Sequence, residues 1–163
     1  MSVSLPRVVP PLPDGATMAL WPLAALGAGR DAGAIAATGA PIYMSRGKWL
    51  HPLFELLDLL ESGPLAGSTV DPNPRRAIDA AGELFLRDRV IGKAAAFLIL
   101  RAGIRHAWAD LVSDGALAVF AANGASLGGD ERVPAIDCMT EELLRSVDDP
   151  DRAWTLLSAR RRS

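Results

Sequence analysis

Few residues of this chain could do chemistry, and most of them stand where one element is expected to give way to the next. Gly92-Lys93 opens the run "GKAAAFLIL", a glycine-lysine step of the kind that can cradle a phosphate. A phosphate loop also needs a glycine five residues earlier, so that the backbone wraps the phosphates, and a Ser or Thr next, to reach magnesium. Those positions hold Arg87 and Ala94, which argues against a nucleoside triphosphatase. "GAGRDAG", Gly27 to Gly33, is only superficially similar to a dinucleotide loop, has no clear preceding strand, and reads as a linker.

Metal chemistry is poorly supplied. The soft ligands are His51, His106 and Cys138, on three separate expected elements, so no metal site and no cofactor are expected. His106 alternates with Ile104 and Trp108 and reads as a satisfied, half-buried strand histidine. Cys138 precedes a helix, where a thiolate is stabilised and can act as a nucleophile. No histidine lies near it in sequence, so a structural thiol stays as the alternative. Glu141 and Glu142 suit the positive end of the same helix.

The elements that must position these groups follow from apolar spacing and from Pro and Gly. Met1 to Pro13 carries four prolines and reads as a flexible arm. Asp14 can cap a helix over roughly Ala16 to Leu26, although Pro22 disturbs it. "AGAIAATGAPIYMS" suggests a hairpin turning at Thr38-Gly39-Ala40. "HPLFELLDLLESGP" has Pro52 in a first turn and Leu53, Leu56, Leu57 and Leu60 at helical spacing, and is stopped by Gly63-Pro64. A long loop, "AGSTVDPNPRR", and a short helix at "AIDAAG" come next.

From Glu83 the segments "ELFLRD", "GKAAAFLILRAG", "IRHAWADLV" and "SDGALAVFAANG" alternate strand and helix, which implies parallel strands joined by right-handed crossovers. The helix from Gly92 is apolar nearly all round and should be buried. A strand near Ala125 to Leu127 can follow. Two helices close the chain, one capped by Thr140 and one by Asp149 with Pro150 in its first turn. Domain organisation reads as an arm over 1–13, one domain over 14–158 and a basic tail over 159–163.

The whole chain bounds the rest. Its 163 residues, 50% hydrophobic and 22% charged, suit one globular domain. A formal charge of -2 gives no general attraction to nucleic acid or to anionic membrane, and neither partner is expected. No apolar run reaches the ~18 residues of a membrane span. One cysteine permits no internal disulfide, which fits a cytoplasmic setting. The apolar central helix and the "LFELLDLL" face suggest surplus nonpolar surface, and hence a homodimer.

The stretches "RGKWLHPLFELL", "DRVIGKAAAFLIL", "IRHAWADLVSDGALAVFAANG" and "ERVPAIDCMTEELLRSVDDPDRAW" together resemble the bacterial and archaeal family catalogued as domain of unknown function 1893. The similarity runs from about Gly33 to Leu157. It implies a cytidine-deaminase-like fold: an α/β protein, a three-layer α/β/α sandwich on a mixed sheet, with an initial hairpin and then parallel strands. The family has Cys-Pro-Met-Glu where this chain reads Cys138-Met139-Thr140-Glu141, and the chain has extra sequence around Ser68 to Gly82.

Zinc deaminases hold their metal at two helix starts, one carrying H-x-E and the other P-C-x-x-C. The matching starts here, Gly92-Lys93-Ala94 and Ser113-Asp114-Gly115-Ala116, carry no such ligands. What remains is two helix starts side by side, where open N–H groups favour an anion. Gly92, Lys93, Ser113 and Asp114 are therefore the candidate ligand-binding residues, with Arg46 and Cys138 as further candidates. Lys93 either faces an anionic ligand or pairs with Asp88, Asp110 or Asp114.

The expectation is a metal-free deaminase-like domain that binds a small anionic, nucleotide- or nucleobase-like ligand as a sensor or accessory protein. No residue is assigned a catalytic role. The alternatives are an enzyme using Lys93, Ser113 and Cys138, and a homodimeric interaction module.

Overall fold

The computed structural model describes residues 5–6, 8–26, 40–61 and 74–162. Its elements in chain order are β1 (Met18–Pro22), a 3-10 turn (Leu23–Leu26), β2 (Tyr43–Ser45), α1 (His51–Glu61), α2 (Pro74–Ala80), β3 (Leu84–Ile91), α3 (Lys93–Arg101), β4 (His106–Ser113), α4 (Asp114–Ala122), β5 (Ser126–Val133), α5 (Met139–Leu143) and α6 (Pro150–Arg162). The strands form one sheet in the order β2-β1-β3-β4-β5. β1 is antiparallel to both its neighbours, and β3, β4 and β5 run parallel.

The parallel half forms as its sequence pattern predicts, and its two crossover helices end alike. Gly103 and Gly124 take positive φ just past α3 and α4. In each case the residue after the glycine donates back to a carbonyl five residues earlier, Ile104 to Ile99 and Ala125 to Phe120. This is the Schellman closure that only glycine enters without strain. β5 is longer than the expected Ala125 to Leu127, reaching Val133.

The side chains of the sheet divide by the two-residue period of a strand. Met18 and Leu20, Leu84 and Leu86, and Ala107 and Ala109 join a core with buried residues of α1, α2, α3, α4 and α6. Lys93 to Ile99 of α3 are all buried within it. On the other face Ala19, Trp21 and Phe85 are covered by Leu5, Val9, Leu12, Leu23 and Trp108.

Several expectations are corrected here. The stretch expected as a helix from Ala16 to Leu26 is a strand followed by a 3-10 turn. Its residues Met18 to Trp21 are buried on both faces, so they lack the alternation that marks a half-exposed strand, and such a run cannot be told from a buried helix by periodicity. Among the described residues the α-helices that build the main core pack on one face of the sheet. Among the described residues the other face is covered by the proline-rich segment, whose Leu5, Val9 and Leu12 pack against it. The basic tail is also ordered: α6 runs through Arg162, and Arg161 bonds both oxygens of Asp58 at 2.9 and 2.5 Å while lying 4.8 Å from the Phe54 ring.

β2 is the second half of the expected hairpin, and it pairs with β1. The first half of that hairpin, the Gly27 to Gly33 linker and most of the loop before α2 lie outside the described residues. No helix among the described residues is long and apolar enough to cross a membrane.

Candidate functional site

A groove of about 990 Å³ opens at the carboxyl end of β3, where Asp88, Arg89 and Val90 line it. The turn into α1 supplies Trp49 and His51, the first turns of α3 supply Gly92, Ala94 and Ala95, and the segment entering α5 supplies Ile136, Cys138 and Met139. Three large apolar side chains are exposed there: Trp49 at 81%, Met139 at 66% and Val90 at 42%. Trp49 also has φ +60°, left-handed backbone that a bulky residue adopts only at a cost of about 1–3 kcal/mol.

Asp88 lies on the same side of its strand as Leu84 and Leu86, facing the helices. Its Oδ1 accepts from the backbone N–H of Arg89 at 2.6 Å and of Val90 at 3.3 Å. Burial pushes its carboxyl up to about 7, against the lowering pull of those two N–H groups and of Arg87. Arg87 itself projects from the opposite face, where Asp110 and Asp130 hold its guanidinium.

The α3 start is not an open anion site. Gly92 caps α3 without a side chain, and Glu141 fills that role from another element: its Oε2 accepts the Lys93 N–H at 2.7 Å. A Cβ on Gly92 would stand 2.8 Å from this oxygen, so glycine is what admits the carboxylate. Glu141 is thus the cap of α3, as well as a residue of the α5 first turn.

Each of the remaining candidates is similarly placed by the fold. Lys93 is buried, at 9% exposure, and its ammonium bonds Asp148 at 3.1 Å, not Asp88, Asp110 or Asp114. Its stem packs on Gly115, which brings the starts of α3 and α4 together as expected. Ser113 is fully buried, and its hydroxyl accepts from the Ala116 N–H at 3.1 Å as the cap of α4. Asp114 pairs with Arg132 on β5. Arg46 is exposed beside Gly15 and does not line the groove. Of the six candidates, only Gly92 and Cys138 line it.

Cys138 caps α5 with its backbone alone, and its sulfur lies 3.3 Å from the Thr140 hydroxyl. Thr140, expected as the cap, sits one residue inside the helix. His106 is buried on the far face, with Nε2 3.9 Å from Glu83 and Nδ1 without a partner among the described residues, so it is not the satisfied histidine expected. Burial lowers its imidazole below the usual value, against the raising effect of Glu83. Among the described residues no group of three His, Cys, Asp or Glu side chains could hold a metal ion.

Sequence reasoning missed Asp88, Glu141 and Trp49 as site residues. Gly92 was the available signal for Glu141, since a helix start with no capping side chain of its own draws one from elsewhere. Nothing in the spacing of Trp49 marks it as exposed.

A family profile described as Domain of unknown function (DUF1893) matches residues 80–160, just under half of the chain. The fold is similar to the crystal structure of a DUF1893 family protein from Thermotoga maritima, with a TM-score of 0.61 and 21% identity. The match covers 89% of this chain and 80% of the other. At that identity the likeness speaks to the fold alone. No curated protein matches the chain.

Proposed function

We propose that this chain is a ligand-binding relative of the DUF1893 family, with deaminase-like kinship but no zinc chemistry, that takes a nucleobase-like molecule into the groove as a sensor or accessory protein. The groove carries this reading. Its volume suits a small molecule, and it joins a flat apolar rim at Trp49, Val90 and Met139 to a recessed carboxyl at Asp88. An aromatic face beside a fixed polar group is what a planar heterocycle needs, one for its ring and the other for its edge.

The deaminase kinship is supported by the antiparallel β1 and β2 followed by three parallel strands. Zinc does not fit the two helix starts. One presents a lysine committed to Asp148 and an alanine, the other a capping serine, and none of these is a zinc donor of the usual kind. The anionic part of the expected ligand also moves. With Glu141 on the α3 start, a phosphate or carboxylate would meet Lys48 and Arg89 at the groove instead.

A thermal-shift panel of nucleobases, nucleosides and nucleotides tests this. A ligand at a hundred times its dissociation constant adds about 2.7 kcal/mol, and Trp49→Ala should remove that gain. No shift across the panel would reject the reading. A second reading, a homodimeric interaction module, is favoured by the same exposed Trp49, Val90 and Met139. In that case Trp49→Ala would dissociate a dimer in sedimentation while no panel compound shifts the melt.

A further inference from the structure

We propose that Asp88 is the specificity-determining residue of the groove, presenting one carboxyl oxygen as a hydrogen-bond donor and thereby selecting an uncharged planar heterocycle with a carbonyl or ring-nitrogen acceptor. This rests on the reading of the groove as a ligand site. The two oxygens of Asp88 are not equivalent. Oδ1 is fixed by two backbone N–H groups, so a proton on this carboxyl sits on Oδ2, whose hydroxyl is then free to donate into the groove.

The surroundings hold that proton in place. Arg87 is turned to the other face by Asp110 and Asp130, and Arg89 turns its Nε to the Ala16 carbonyl at 3.2 Å. Among the described residues no cation forms an ion pair with Asp88. The burial described above keeps it neutral up to about pH 7. Across the groove stand Lys48 and His51 at the α1 entrance, Asp137 and Glu141 near α5, and Arg160 and Arg161 from α6. His51 is the histidine that lines the groove, so its contribution is separated from that of Asp88 experimentally.

The consequence is a binding site that weakens with alkalinity. A ligand that needs the neutral acid sees only the protonated fraction, so affinity at pH 5.5 should exceed that at pH 8.5 by roughly 30-fold. Asparagine at this position can keep the carbonyl on the two N–H groups and offer a permanent donor. The experiment is calorimetric titration of the full chain with uracil, cytosine and adenine, each predominantly neutral at both values, at pH 5.5 and 8.5.

The expected result is that at least one base binds wild type with that ratio, that Asp88→Asn binds it equally at both values, and that His51→Gln retains the ratio. Binding that does not depend on pH in wild type, or that depends on it equally in Asp88→Asn, overturns the role of Asp88 and leaves the groove reading standing. If none of the three bases binds at either pH, both fall together.

Discussion

Glu141 does for α3 what α3 cannot do for itself, by supplying an acceptor to an N–H that Gly92 leaves uncapped. Glu141→Gln keeps an acceptor and should cost little, whereas Glu141→Ala should cost about 1–2 kcal/mol, read as a change in urea midpoint. Lys93 carries a different lesson. Its partner Asp148 is almost fully exposed, so the charge pair contributes little and the buried stem contributes most. Lys93→Met should melt close to wild type and Lys93→Ala should lose about 1 kcal/mol, with neither altering binding in the groove.

For Asp88 the pH dependence has a definite sign. Between the ordinary carboxylate value of 3.8 and about 7, the folded chain keeps a proton that the unfolded chain has released. Stability must therefore fall as pH rises through this window and level off above it. Asp88→Asn should be near neutral below pH 4 and stabilising at pH 8, as read in urea melts at the two values. An equal effect at both pH values would contradict the burial of this carboxyl.

At the scale of elements, the extended N-terminal segment takes the place of a helical layer. Gly128 on β5 is part of that arrangement: a Cβ there would meet the Trp108 ring at 2.4 Å and Leu5 at 3.2 Å. Gly128→Ala should therefore push the segment off the sheet, and Leu12→Asp should do so by burying a charge against Trp21 and Phe85. Both should lower the melting temperature and raise dye binding to exposed apolar surface. A wild-type melt with Leu12→Asp would mean that the segment does not cover this face.

The parallel half of the sheet and its helices are legible in the sequence, because glycine punctuation and period-two alternation act locally there. β1 is not, because burial on both faces erases the period, and the cover given by Leu5 and Val9 is a long-range contact with no local mark. The candidate site is legible only as a place. Helix starts at strand ends point to the corner of the fold where the groove opens, but Lys93 and Ser113 are taken up by Asp148 and the Ala116 N–H, partners that only the tertiary structure brings near.

At the scale of the whole molecule, the main core lies under one face of the sheet, a smaller cluster lies on the other, and Trp49, Val90 and Met139 are exposed together at the groove. The apolar face of α1 and Lys93 to Ile99 of α3, which suggested a dimer, are buried within the single chain. An association through Trp49, Val90 and Met139 would compete with a ligand for the same groove. On the proposed reading this groove receives a planar heterocycle. The most direct measurement is backbone amide chemical-shift mapping of the full chain during addition of uracil, cytosine and adenine at pH 5.5. The account predicts saturable shifts clustered at Trp49, Asp88 to Val90 and Cys138 to Met139, with the amides around Asp148 and Arg132 unmoved. Saturable shifts centred on Asp148 or Arg132, or no saturable shift with any of the three, would contradict it.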